Sequence, residues 1–249
     1  MKTLKNKTVV VAGGTGNIGS FVVKELLKRG AVVAIPSRTE EKVNQLESHL
    51  SDDLDETYFK RLHPFIGNIG EEAGAEDLLE KITDKVGLPD AVVASLGRFI
   101  PAPSLLEASV NDLQQVVDGY LAGHFVAAKT FLRKFKEVGG TYIFINGPLA
   151  LEPWEGSGAG LISIATAGQQ MLFKVVAQEL NESPANVIEL MTHSFIRNRQ
   201  TQPQSPIPGE AVGAYISHLI SDEAKDVHGN TIQLKSMDKL GEEGISIDM

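Results

Sequence analysis

Residues 9–30 read VVVAGGTGNIGSFVVKELLKRG. Three valines run into a glycine-rich turn. The turn opens a segment in which Ile18, Val22 and Leu26 recur at helical spacing, and Gly30 ends it. Glycine permits the tight turn and a close backbone approach to a phosphate, while the helix N-terminus supplies free N–H donors and a partial positive charge. Gly13, Gly16 and Gly19 have the spacing G-x-x-G-x-x-G. Alone, that motif is weak. Here it follows a strand, opens a helix and precedes a second strand, the context in which such a turn holds a dinucleotide by its pyrophosphate. Thr15, Asn17 and Ile18 complete the set of candidate contacts in this turn.

The rest of the chain repeats the alternation. Strands are expected at TVVVAG, AVVAIP, FKRLHPFIG, DAVVASLG, TYIFING, NVIELM and NTIQLK. Between them lie helical patterns: EEKVNQLESHL, EDLLEKITDKV, a long helix capped by Ser109 with Asp112 three residues on, ISIATAGQQMLFKVVAQEL and EAVGAYISHLI. The stripe of the long helix is Leu113, Val116, Tyr120, Leu121, Phe125, Ala128 and Leu132. The acidic run SDDLDE reads as a solvated loop, and THSFIRNRQTQPQSPIPG as a loop with three prolines. Strands alternating with helices require parallel pairing through right-handed crossovers, and near-continuous apolar strands fit a sheet covered on both faces. The expected fold is α/β: one doubly wound parallel sheet of about seven strands, the Rossmann pattern.

No linker or composition break divides the 249 residues, so one domain over residues 1–249 is expected, with a substrate loop near 193–209. A formal net charge of −9 argues against nucleic acid or an anionic membrane as partner. The chain has no cysteine, hence no thiolate nucleophile and no Cys-based zinc site. No His/Asp/Glu cluster has metal-ligand spacing, so no metal is expected. The basic N-terminus leads into an apolar run that Gly13 and Gly14 break at once, too short for a signal sequence, and nothing else reads as long and apolar enough to span a bilayer. These features point to a soluble, cytoplasmic protein.

From VVVAGGTGNIG to SDEAKDVHGNTIQL the chain resembles the short-chain dehydrogenase/reductase family. The glycine spacing is closer to the extended and atypical branches, and the length and helix order to the compact members. The resemblance implies an oxidoreductase with a nicotinamide cofactor and a small carbonyl or alcohol substrate. The second strand ends in IPSRTEEK, with no acid at Ser37 or Arg38. A carboxylate there would bond the ribose of NAD. A guanidinium can instead fork onto a 2′-phosphate, so the cofactor expected is NADP. By the same resemblance Asn68 and Ile69 would flank the adenine, and Ser95 and Gly97, in ASLG, would wall the nicotinamide side.

The family's reductases use a Tyr acid/base, a Lys that lowers its pKa, a Ser that polarises the carbonyl and an Asn that holds a water. Aligned on VVAQEL, those positions hold Ile162, Thr166, Gly147 and Tyr120. No Tyr-x-x-x-Lys occurs anywhere in the chain. The family's Pro-Gly after the sixth strand becomes His193 and Ser194. The remaining candidates for chemistry are Tyr120, His193 and Asn146, with Trp154 as a possible pocket floor and His124 as a packing or interface residue. Three readings follow: a reductase with a rebuilt site, a non-catalytic NADP(H)-binding regulator or redox sensor, and an isomerase, dehydratase or lyase in the old pocket. Leu172, Val176, Phe125 and Leu132, on the long helix and the one after the fifth strand, suggest a homo-oligomer, dimer or tetramer.

Overall fold

The structure is a computed structural model that describes residues 3–97, 102–154, 158–193, 196, 206–221 and 227–245. Its centre is a parallel sheet in the order β3-β2-β1-β4-β5-β6-β7. The strands are β1 (Thr8–Ala12), β2 (Val32–Ser37), β3 (Leu62–Ile66), β4 (Ala91–Ala94), β5 (Gly140–Asn146), β6 (Ala185–Thr192) and β7 (Thr231–Leu234). Strand order reverses between β1 and β4, so their C-terminal ends open a crevice, where ligands of open α/β sheets bind.

One face of the sheet is covered by α1 (Asn17–Lys28), α2 (Glu40–Ser51) and α8 (Gly209–Ile220). The other carries α4 (Glu72–Val86), α6 (Gly123–Val138) and α7 (Gly160–Glu179). Val9 and Val11 enter the first core and Val10 and Ala12 the second. This two-sided burial is why β1 reads as a continuous apolar run rather than an alternation. Gly209 and Gly213 let α8 lie directly on α1: a Cβ at Gly209 would sit 2.1 Å from the ring of Phe21.

The structure amends the sequence reading in four places. The acidic run holds the N-cap of a short helix, α3 (Glu56–Phe59): Asp55 accepts from the Thr57 N–H at 2.9 Å. The expected long helix is α5 (Val110–Val117), a π turn at Asp118–Ala122, and then α6. Its capping box is present, with the Ser109 N–H donating to Asp112 at 2.8 Å. Gly119, inside the widened turn, and Gly123, just after it, hold an α-turn poorly. A further short helix, α9 (Asp238–Glu242), closes the described chain. Finally, α7 is, by length and composition, long and apolar enough to cross a bilayer. Its Phe173 and Ala177 are packed into the core against the sheet, so its apolarity is in part that of a core helix. Of the expected 193–209 loop, Ser194 and residues 195 and 197–205 lie outside the described residues.

Candidate active site

The turn after β1 is held by backbone crowding. Gly13 has φ +83°, and a Cβ there would sit 2.1 Å from the Ser95 carbonyl at the end of β4. A Cβ at Gly19 would sit 2.1 Å from the Gly13 carbonyl. Both glycines are needed for the first turn of α1 to pack onto β1 and β4. Gly16 is different: it is exposed and is the N-cap of α1. No side chain caps this helix, and no acid stands in its first turn. The N–H groups of Asn17, Ile18 and Gly19 therefore open the helix without intrahelical acceptors, beside the half-buried Thr15. An anion fits there.

At the end of β2, Ser37 is buried, and its hydroxyl donates to the Thr39 carbonyl at 2.9 Å. Ser37 thus shapes the β2–α2 connection, and Thr39 caps α2 by accepting from the Lys42 N–H. Arg38 is exposed and makes no ion pair among the described residues. Glu40 and Glu41 stand in the first turn of α2, where they complement its dipole. The Asn68 amide is largely spent on its own loop: Oδ1 accepts from the Gly70 N–H at 3.1 Å and Nδ2 donates to Glu71 at 2.7 Å. Ile69 is a core residue.

A cavity of about 470 Å³ runs from Gly16, Asn17 and Ile18 past Ser95 and Gly97 to Asn146, Gly147 and Thr166. Tyr120, Ile162, Trp154, Ile145, Leu149 and Ile196 give it an apolar wall. The structure thus gathers Tyr120, Gly147, Ile162 and Thr166 into one cavity that also contains the opening turn of α1. Asn68, Ile69, Ser37 and Arg38 do not line it. Nor does His193. Along β6, Thr192 turns toward β5, its hydroxyl 3.5 Å from the Asn146 carbonyl. His193 follows the last residue of β6 and sits beside β7, its N–H donating to the Leu234 carbonyl at 3.1 Å. Burial and the charge of Lys235 and, in the opposite sense, a hydrogen bond to Gln233 leave the His193 pKa below its ordinary value.

Asn146 is buried and fully engaged. Its Nδ2 donates to the Thr166 carbonyl at 3.2 Å and to Glu189 at 2.9 Å, and its Oδ1 accepts from the Gly147 N–H at 2.9 Å. Both amide hydrogens are used, so none remains for a substrate carbonyl. The Thr166 hydroxyl donates to the Ile162 carbonyl within α7 at 2.8 Å, and Gln169 donates to the Ile145 carbonyl at 2.9 Å. Glu189 is wholly buried and also accepts from the Thr231 hydroxyl at 2.7 Å. Sequence reasoning missed Glu189, Gln169 and Thr192. The only signal for Glu189 was a carboxylate inside an apolar strand.

Tyr120 lies in the π turn. Its ring packs on Gly97, where a Cβ would meet it at 2.5 Å, and against the cluster of Val116, Ile162 and Ala165. Burial pushes its pKa up to about 12, and its hydroxyl makes no hydrogen bond among the described residues. His124, one turn on, is a packing residue: it is fully buried, stacks 5.9 Å from Phe144 and has Nε2 3.4 Å from the Leu96 carbonyl. Burial pushes its pKa down to about 4. The unfolded chain therefore binds this proton first. His124 contributes stability above about pH 6.5 that is lost as pH falls through about 4. Urea midpoints are expected to be lower at about pH 5 than at about pH 7.5, with a smaller difference in His124→Gln.

Comparison with known proteins bears on the same residues. The family model described as short chain dehydrogenase matches residues 7–196. An NADPH-dependent pterin aldehyde reductase of Arabidopsis thaliana is 26% identical over 202 residues, 76% of this chain and 78% of that protein. A 3alpha-hydroxysteroid dehydrogenase of Mediterraneibacter gnavus is 25% identical over 157 residues, 63% of this chain and 61% of that protein, less than two thirds of its length. Among solved structures, a short chain dehydrogenase of Burkholderia cenocepacia in complex with NADP has a TM-score of 0.80 at 18% identity, covering 94% of this chain and 98% of that one. The structure of gox2181 has a TM-score of 0.81 at 17% identity, covering 96% and 97%. The structural likenesses speak for the fold. The match of the family model over residues 7–196 goes further, and the chain belongs to the short-chain dehydrogenase/reductase family.

Proposed function

We propose that this protein is an NADP(H)-dependent oxidoreductase that acts on a small uncharged carbonyl or alcohol through a rebuilt active site. The observation that carries the reading is the single cavity joining the open N-terminus of α1 to the positions where the family keeps its catalytic groups. The first turn of α1 holds the pyrophosphate, and Arg38 pairs with the 2′-phosphate. Ser95 and Gly97 wall the nicotinamide side. When bound, the cofactor supplies or accepts a hydride. Both the Arabidopsis relative and the Burkholderia structure carry NADP or NADPH in their descriptions, which supports the choice of nucleotide.

The test is NADPH oxidation, followed with a panel of carbonyl compounds beside a binding measurement. Binding without turnover on any of them would leave a regulator or sensor instead. Within this reading Tyr120 fills volume and offers a weak acid. A phenol held near 12 with no lysine beside it gives up its proton reluctantly. Tyr120→Phe is expected to keep NADPH binding and to slow turnover of whichever carbonyl compound of the panel is reduced by less than about tenfold. A loss of about a hundredfold or more would make Tyr120 the main acid.

We also propose that two copies associate through the outer face of α6 and α7. The residues differ in part from those the sequence suggested. Leu132 is in the core, and Leu172 and Val176 pack partly against it, while Phe125 is 47% exposed. Ile164, Met171 and Val175 continue an apolar stripe on α7 and are 47%, 57% and 45% exposed. Sedimentation at micromolar concentration is expected to show a dimer or tetramer, and Met171→Lys with Val175→Glu a monomer. A native protein that is monomeric throughout would remove the proposal.

A further inference from the structure

The wall of the cavity carries a statement about the acceptor. Among the described residues that line it there is no Asp, Glu, Lys, Arg or His. The polar side chains nearest the family's catalytic positions are already committed: Asn146 to Thr166 and Glu189, Thr166 to its own helix, Gln169 to the Ile145 carbonyl. Most of the remaining wall is aromatic and aliphatic, with Trp154, Tyr120, Ile145, Leu149, Ile162 and Ile196; beside the Tyr120 phenol its further polar side chains are the uncharged Asn17, Ser95 and Thr192, none of them an acid able to protonate an alkoxide.

Resting on the oxidoreductase reading above, we propose that the hydride acceptor of this site is a flat, uncharged quinone rather than a saturated ketone or aldehyde. A saturated carbonyl that takes a hydride becomes an alkoxide. In an apolar cavity that oxyanion must receive a proton from the wall as it forms. The positions that would hold the Tyr and Lys donors are Ile162 and Thr166, and neither delivers one.

A quinone avoids the problem. One hydride, two electrons and one proton, is transferred to it: the C–H bond of the dihydronicotinamide breaks and an O–H bond forms on the quinone. The ring becomes aromatic, and the remaining charge rests on the second oxygen as a phenolate. A phenolate is a base of pKa about 10, far weaker than an alkoxide, and it takes its proton from water after leaving. The sum is one quinone, one dihydronicotinamide and one proton going to one hydroquinone and one oxidised nicotinamide. Tyr120 fits this chemistry as a hydrogen-bond donor. Its hydroxyl holds its proton more tightly than the product phenol does, so it stabilises the phenolate without being consumed. The rings of Trp154 and Tyr120 suit a planar aromatic ligand.

The chain has one tryptophan, and it lines the cavity, so its fluorescence reports on occupancy directly. The protein saturated with NADP⁺ is titrated with menadione and, separately, with decalone, a saturated ketone of similar size. Menadione is expected to quench Trp154 saturably, and decalone to leave it unchanged. The variant Gly147→Leu should weaken the menadione quench at least about tenfold. A Cβ at Gly147 meets nothing within 4 Å, so the added side chain has open space to enter, and φ −120° suits any residue. With NADPH, menadione reduction above the buffer rate is expected to be flat between about pH 6 and 8, without a solvent deuterium effect. Linear, unsaturable quenching, or decalone bound and turned over as well as menadione, overturns the proposal. The two readings fail separately. If NADPH binds and decalone is reduced while menadione neither quenches saturably nor reacts, only the quinone assignment falls. If NADPH does not bind, the proposed function falls with it.

Discussion

Replacing Arg38 with alanine is expected to weaken NADPH binding by roughly 10- to 100-fold and to leave NADH within about twofold. The two nucleotides differ by one 2′-phosphate. Arg38 follows the last residue of β2, the strand beside β1 and its turn, and no ion pair among the described residues competes for its guanidinium. Hydrogen bonds to charged groups contribute about 1.5–3 kcal/mol, and about 1.4 kcal/mol is a factor of ten. The exposure of Arg38 screens the pair and favours the lower half of the range. Calorimetry with both nucleotides at one salt concentration measures the effect. An unchanged NADPH affinity would place the phosphate elsewhere and remove the reason for preferring NADP.

Asn146→Ala is expected to cost about 2–4 kcal/mol of folding stability while acting on no substrate contact. Asn146 joins three elements: its own strand β5, α7 through the Thr166 carbonyl, and β6 through Glu189. Truncation leaves the Glu189 carboxylate, 0% exposed, with the Thr231 hydroxyl as its remaining side-chain donor shown by the structure. An under-paired buried charge is far costlier than the bond it lost. The midpoint of urea unfolding should fall with an unchanged slope. The double replacement Asn146→Leu with Glu189→Leu should be less damaging than the single changes added together, because it removes both ends of the network. A variant Asn146→Ala of native stability that has lost turnover would instead make this amide a substrate donor.

Much of the fold was legible because its physics is local or periodic. Parallel strands buried on both faces leave continuous apolar runs, and β1, β4 and the middle of β5 have them. The Ser109–Asp112 capping box could be read from two residues at the right spacing. The π turn at Asp118–Ala122 could not, because it widens one turn of a pattern whose apolar period continues through it. In the site, the glycine turn and the gathering of Tyr120, Gly147, Ile162 and Thr166 followed from motif and alignment. His193 was placed near the same cavity, but partners on β7, distant in sequence, decide where it sits. Thr192 lines the cavity, while His193, just past the end of β6, is tied to β7 through the Leu234 carbonyl and Gln233.

By itself the sequence determined the α/β sheet, the phosphate turn and the absence of any Tyr-x-x-x-Lys, since each is a matter of residue type and spacing along the chain. Only the tertiary structure decided what the survivors do. Asn146 looked like a donor until Glu189, 43 residues away, took one of its hydrogens. Tyr120 was one apolar-stripe residue among seven until Gly97, from the end of another strand, received its ring and left its hydroxyl beside the cavity. Hydrogen bonds and burial are set by partners distant in sequence. Whether a polar group can still do chemistry depends on which of its donors those partners have already taken.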